Sequence, residues 1–229
     1  NTPEQERHVS FSPDGKSLLY SSERGSGWKI YQTQLVRKEE PYFFISTLLK
    51  ETPVIENEKL NYQPQYSPDG KEIAFIEDRQ NLKVYNIATK QVRTLLTNND
   101  LFAMTENDQY FAWSPDSKWI LFQYSEPGYW NGEIGIIAAD GKSKKINLTE
   151  SGFQDFAPKW TSNGDMLIWN STREGMRSQA NSGSSQSDVF AMFLTQDEFD
   201  KFRMTKEEYA LWKEADEKEA KADSAKKAK

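Results

Sequence analysis

One phrase returns four times along this chain and limits what it can fold into. It reads "FSPDG" at 11–15, "YSPDG" at 66–70, "WSPDS" at 113–117 and "WTSNG" at 160–164. The serine-type position falls at Ser12, Ser67, Ser114 and Thr161, with spacings of 55, 47 and 47 residues. An internal repeat of that period announces a fold built from stacked copies of one small unit. The likeness extends beyond the phrase. An aromatic precedes each copy (Phe11, Tyr66, Trp113, Trp160), and an apolar run follows each: "SLLY", "EIAFI", "WILFQY", "MLIW". Twelve residues past the serine-type position stands an arginine in three copies, Arg24, Arg79 and Arg173, replaced by Glu126 in the third.

Turn chemistry says what the unit is. In S-P-D-G the proline presets φ, the aspartate suits the next position, and the glycine takes the place of positive φ. Asp14, Gly15, Asp69, Gly70 and Asp116 are therefore turn residues, and Asn163-Gly164 supplies the equivalent signal in the fourth copy. Strands on both sides make a β-hairpin. Two further strand-like runs complete a unit: "LKVYNI" and "QVRTLL" in the second, "EIGIIAA" and "KKINLT" in the third. The first is enlarged by another strand-like run, "PYFFISTLL" at 41–49. A four-stranded antiparallel meander of about 45 residues is the size of one β-propeller blade. The reading is an all-β propeller of about four four-stranded blades, near 1–58, 59–105, 106–152 and 153–194, followed by a helical, charged segment over 195–229. Closed propellers take about four to eight blades, so four units make either a four-bladed ring, which is rare, or part of a larger ring with blades upstream, and the second is expected. An incomplete ring would leave an open blade edge, an invitation to self-association.

Composition removes several classes of function. At 13% aromatic and 36% hydrophobic residues, the chain has enough apolar side chains for a packed interior. No apolar run approaches the ~18–20 residues of a membrane-spanning helix. A net charge of −6 argues against a nucleic-acid surface. With no cysteine there is neither a disulfide nor cysteine-ligated zinc.

From Leu194 on, the strand pattern stops. Thr195-x-x-Glu198 and Thr205-x-x-Glu208 are two capping boxes, each the start signal of a helix. Phe199 with Phe202, and Tyr209 with Trp212, are three apart and share a helix face.

The SPDG phrase, its apolar follower and the "IY"-like strand ("WKIYQTQL", "LKVYNI") resemble the blades of TolB-like propellers and tricorn-type serine peptidases. The succession "REGMRS", "DVFAMF", "FDKFRM" is similar to the end of the propeller in tricorn-like peptidases of Bacteroidetes-type bacteria. The resemblance covers essentially the whole chain and implies that these blades are part of a six- or seven-bladed ring. It implies a non-catalytic propeller segment for recognising or gating peptide substrates and contacting neighbouring domains. A free-standing TolB-like protein-interaction module is the alternative. The resemblance places the peptidase nucleophile and base in another domain, implies no cofactor, and favours a periplasmic or exported setting over a cytoplasmic one.

The residues themselves offer no catalytic constellation. His8 is the sole histidine, and no G-x-S-x-G elbow accompanies it. Asp14, Asp69 and Asp116 sit in separate turns without a calcium-loop spacing, which makes them turn caps rather than metal ligands. Arginines at one fixed offset are expected to make the same local ion pair or backbone contact in each unit. Function then belongs to a face. SPDG turns close one end of the blades, where little apolar surface is expected, and the longer loops gather at the other: 23–28, 97–108, 125–132 and 173–188. Large side chains in these loops, Trp28, Phe102, Met104, Tyr129, Trp130 and Met176, are the candidate contacts for a peptide or protein partner.

Overall fold

Each recurrent phrase closes a hairpin by a clamp that its serine and aspartate build together. In the computed structural model the Ser12 hydroxyl donates to the Asp14 carboxylate (2.6 Å), which also accepts the Lys16 N–H (3.0 Å). The Ser12 oxygen in turn accepts the Ser17 N–H at 2.9 Å. The same pairs recur as Ser67 with Asp69 (2.7 Å) and Ser114 with Asp116 (2.6 Å). Gly15 and Gly70 close their turns at φ +69° and +71°, and Ser117 takes that strained place at +63° in the third copy. The fourth copy lacks the aspartate and forms a short 3₁₀ turn, Ser162–Gly164, with Asn163 at +57°.

The structure describes residues 3–25, 27–101, 109–125, 131–176 and 186–227. Its strands form four antiparallel meanders in chain order. The first sheet is β1 (Glu6–Phe11), β2 (Ser17–Arg24), β3 (Gly27–Leu35) and β4 (Leu49–Ile55); the second is β5 (Asn61–Tyr66), β6 (Glu72–Glu77), β7 (Asn81–Asn86) and β8 (Val92–Leu96). The third is β9 (Phe111–Trp113), β10 (Trp119–Ser125), β11 (Gly132–Ala138) and β12 (Ile146–Asn147). The fourth has three described strands, β13 (Asp155–Thr161), β14 (Met166–Ser171) and β15 (Asp188–Phe193). After β15 the chain turns into helix α1 (Gln196–Arg203) where a fourth strand would begin.

Adjacent blades pack face to face, and the alternation of each strand divides its side chains between two neighbours. In β6, Ile73 and Phe75 join Leu19 and Ile30 of the first blade, while Ala74 and Ile76 join Ile120 and Phe122 of the third. Leu121 and Ile134 of the third blade meet Leu167 and Trp169 of the fourth. The aromatic before the turn also bonds across blades. Trp113 Nε1–H donates to the Gln65 carbonyl (3.3 Å), and Trp160 Nε1–H to the Ala112 carbonyl (3.4 Å).

The first strand of a blade carries a second repeated feature. Register slips between Arg7 and Ser10, Tyr62 and Gln65, and Phe156 and Lys159. Each bulge holds a non-glycine residue at positive φ: His8 (+59°), Gln63 (+52°) and Ala157 (+53°). All three stand four residues before the turn serine-type position. His, Gln and Ala share no side-chain property, so the bulge leaves no mark in the sequence.

Two expectations need correction. The run 41–49 is no extra strand: Phe43–Ile45 is a 3₁₀ turn, and only Leu49 belongs to β4. Glu40 holds this insertion, accepting the Thr47 N–H and hydroxyl (both 2.7 Å) and Arg37 (3.1 Å). Nor is the SPDG end poor in apolar surface, since Val36, Tyr42, Phe44, Ile45 and Leu48 are exposed there. Both capping boxes start helices. Thr195 caps α1 and Thr205 precedes α2 (Lys206–Lys227), each hydroxyl accepting the N–H of its glutamate at 3.3 Å. Phe193 of β15 packs on Phe199 and Phe202 of α1, with ring centroids 5.3 and 5.1 Å away.

Candidate functional site

Among the sequence-derived contacts, Trp28 and Met176 are described; Phe102, Met104, Tyr129 and Trp130 lie outside the described residues. Trp28 opens β3 directly after a tight hairpin, Arg24 opposite Gly27, and this turns the indole back onto the second blade. Its ring lies 5.7 Å from that of Tyr62, tilted by 38°, and packs against the core between blades. The Arg7 guanidinium stands 5.5 Å from the Trp28 ring, and that of Arg79 is 4.5 Å from the Tyr62 ring. A contact chain of Arg7, Trp28, Tyr62 and Arg79 thus crosses the loop end of the first two blades. Met176, beyond β14, is 72% exposed.

The arginines at the fixed offset behave alike in two blades. Arg24 donates Nε–H to Ser22 (3.0 Å), pairs with Glu6 (3.2 Å) and lies 4.1 Å from the Tyr31 ring. Arg173 repeats this with Ser171 (3.1 Å), Asp155 (3.4 Å) and the Phe190 ring (4.7 Å). Asp155 is fully buried and also accepts Trp169 Nε1–H at 3.1 Å. Arg24 additionally binds Glu51, whose carboxylate accepts the Tyr20 hydroxyl; burial and that hydrogen bond push the Tyr20 phenol up to about 12. Arg79, at φ +61° in the tight β6–β7 turn, lies over a ring of the first strand, Tyr62, instead of one on the third. These arginines brace the blade rather than present charge to a ligand.

Glutamines, which the sequence reading passed over, join the inner strands at this end. Gln63 accepts the Gln109 N–H (2.9 Å) and donates to its carbonyl (2.8 Å); Gln65 reaches the Phe111 carbonyl at 3.4 Å. Gln123 accepts the Ala157 N–H (3.1 Å), and Gln154 the Gly132 N–H (3.0 Å). A neutral amide that donates and accepts at once can satisfy two backbone groups between blades.

Among the described residues, two clefts lie between blades on the SPDG side of the candidate loops or beside the outer strands, and no candidate contact residue lines either. One of about 510 Å³ lies between the second and third blades and is lined by Glu72, Arg93, Trp119 and Lys142. There Arg93 is committed, bidentate to Glu72 (2.7 and 2.6 Å) and donating Nε–H to the Ala139 carbonyl (2.7 Å). The other, about 580 Å³, lies between the first two blades beside Ile55 and Tyr85. Among the described residues no three His, Asp or Glu side chains cluster to hold a metal, and no helix is long and apolar enough to cross a membrane. His8 sits in a strand bulge.

Repeated antiparallel blades, packed face to face around glutamine-linked inner strands, define a segment of a β-propeller. Its homologues are the propellers of TolB, dipeptidyl-peptidase 5 and tricorn protease. Dipeptidyl-peptidase 5 of Porphyromonas gingivalis is 30% identical over 161 residues, which is 65% of this chain and 22% of that protein. The Tol-Pal system protein TolB of Francisella tularensis is 30% identical over 94 residues, 39% of this chain and 19% of that protein. A tricorn protease homolog of Saccharolobus solfataricus is 30% identical over 107 residues, 47% of this chain and 9% of that protein. The chain therefore spans about a fifth or less of the curated relatives it matches. Among solved structures, tricorn protease superposes with a TM-score of 0.61 at 16% identity, covering 85% of this chain and 18% of that one. TolB from Acinetobacter baumannii gives 0.57 at 20%, covering 84% and 42%. No family model matches the sequence.

Proposed function

We propose that the chain is the non-catalytic propeller segment of a tricorn-like peptidase, presenting a loop face that recognises or gates peptide substrates and contacts neighbouring domains. The observation that carries this reading is the 161-residue likeness to dipeptidyl-peptidase 5, which takes in most of the repeat. The lack of a nucleophile–base pair among the described residues fits it. The contacts fall to Trp130, Tyr129, Phe102 and Met176, since Trp28 is engaged with Tyr62. A periplasmic or exported setting accompanies the reading.

The test is to incubate the purified chain with a fluorogenic peptide library and to measure binding of the same peptides by fluorescence anisotropy. Binding without turnover is expected, and Trp130→Ala should weaken it by about 1–2 kcal/mol with thermal stability unchanged. Turnover by the chain alone overturns the non-catalytic reading. The 30% likeness to TolB favours a second reading, a free-standing module that binds a folded protein. Capture of a folded protein through this face, with no affinity for extended peptides, would decide for it.

A further inference from the structure

Successive blades meet in the same way, yet one of the clefts between them lacks a bridge that its neighbour has. Register identifies the equivalent positions. Leu19 pairs with Gln32 and Ala74 with Val84, each seven residues past its turn serine. Gln32 in turn pairs with Thr52, and Val84 with Arg93. Thr52 therefore stands in the first blade where Arg93 stands in the second. Arg93 crosses to the third blade, donating Nε–H to the Ala139 carbonyl at 2.7 Å, with Glu72 fixing its guanidinium. A threonine is too short for that crossing, and the cleft of about 580 Å³ between the first two blades is left without it.

The floor of this cleft is apolar. Ile55 and Ile73, 5% and 1% exposed, belong to the core shared by the two blades, and Val54 and Tyr85 pack against it. Ile87 and Val92 carry the apolar surface outward and are 38% and 48% exposed. One wall is braced from behind. The Asn57 amide donates to Glu77 (3.3 Å) and accepts the Lys59 N–H (3.0 Å), while the buried Lys29 ammonium donates to the Asn57 carbonyl. A groove held in this way needs little reordering to receive a ligand.

The two ends of the groove carry opposite charge. Lys90 lies in the β7–β8 turn at the SPDG end, and Glu56 follows β4 toward the loop end. Both are exposed, and neither joins an ion pair among the described residues. Along one side the five consecutive residues 53 to 57 line the groove, about 13–17 Å of extended chain. β4 and β8 are also the outermost strands of their sheets. An edge strand presents a row of N–H and C=O groups to a second extended chain.

We propose that this groove binds an extended peptide segment. Apolar side chains at alternate positions sit over Ile55, Ile73 and Tyr85, with an acidic residue beside Lys90 and a basic one beside Glu56. Alternation follows from the strand period of two, which turns every second side chain to the same face. The groove lies beside the outer strands of two adjoining blades, apart from the loop face, and the site does not rest on the reading of that face.

Fluorescence anisotropy with the whole chain tests this, using labelled hexapeptide pools. In the probe pool two apolar residues occupy alternate positions between an aspartate at one end and a lysine at the other, in both directions. In the control pool the two apolar residues are adjacent. The probe pool should bind at least about tenfold more tightly than the control, and Val92→Glu should weaken it by a similar factor. Lys90→Glu should weaken the probe too, and a pool with lysine in place of the aspartate should recover the loss. Hydrogen exchange with peptide bound should protect residues 53–57 and 90–92 rather than 173–176. Equal binding of the two pools, unchanged affinity in Val92→Glu, or protection confined to 173–176 overturns the proposal. Absence of binding at about 1 mM probe overturns it as well. Circular dichroism monitors folding; if Val92→Glu loses its β-signal, Ile87→Thr replaces it.

Discussion

The Trp113 indole N–H donates to the main-chain carbonyl of Gln65, 3.3 Å away on the preceding blade. The ring itself is buried in the core shared by the second and third blades. One side chain therefore fills the inter-blade space and satisfies a backbone oxygen of the neighbour. Trp113→Phe keeps most of the apolar contact and removes the donor, with an expected loss of about 1 kcal/mol in urea denaturation. Phe11, at the same repeat position, is 61% exposed; Phe11→Ala should leave stability nearly unchanged. Equal losses at the two positions would contradict this account of blade packing.

Gly70 and Gly135 are constrained for different reasons, and substitutions should separate them. Gly70 sits at φ +71°, and an added Cβ would reach only ordinary contact with Pro13, 3.7 Å away. Its constraint is conformational. Gly70→Val should cost about 1 kcal/mol or more through backbone strain alone. Gly135 has no such φ, but its Cβ would fall 2.5 Å from the Phe122 ring across the β10–β11 pair. Gly135→Ala should cost about 1–3 kcal/mol by overpacking. Recovery of stability in the double variant Gly135→Ala with Phe122→Leu, and no such recovery at Gly70, is the expected thermal-denaturation result.

Trp28 and Met176 both looked like contact residues in the sequence, yet the fold treats them differently. Trp28→Ala should destabilise by about 2–4 kcal/mol, since it removes a large ring packed on Tyr62. Met176→Ala should stay within about 0.5 kcal/mol of wild type. Chemical denaturation of both variants checks the ranking, and a neutral Trp28→Ala would return that residue to the binding face.

Glu40 gives the SPDG end a pH dependence of definite sign. The Thr47 N–H and hydroxyl and the Arg37 guanidinium hold its carboxyl at about 2, below the ordinary value of 4.5. A depressed carboxylate contributes its full stabilisation above the unfolded value and loses it as pH falls through the folded one. The local order of the 41–49 insertion should therefore persist at pH 5 and be lost between pH 4.5 and about 2. The Thr47 amide resonance should titrate in that window, and Glu40→Gln should abolish the transition. A midpoint near 4.5 would mean that Glu40 is free of Thr47.

The blades were legible in the sequence because their determinants are local. Ser12, Asp14 and Gly15 act within a few bonds of one another, so their spacing alone specifies the hairpin, and a period of 47 residues repeats it. Thr195 and Thr205 announced their helices for the same reason. Local chemistry said much less about 41–49: an apolar run reads as a strand unless one knows that Glu40 closes the loop back on Thr47.

What only the tertiary structure decided is which equivalent residues have equivalent surroundings. Arg24 and Arg173 each lie over a ring of the third strand of their blade, whereas Arg79, at positive φ in its tight turn, lies over Tyr62 of β5, although the sequence sets all three at one offset. Trp28 became packing because Tyr62 of the next blade lies beside it. Phe11 and Trp113 hold the same place in the repeat, and one is open while the other is covered. Sequence fixes the apolar character of such a position, because hydrophobicity belongs to the side chain. Burial depends on whether a neighbouring face arrives, and that is a property of the assembled blades.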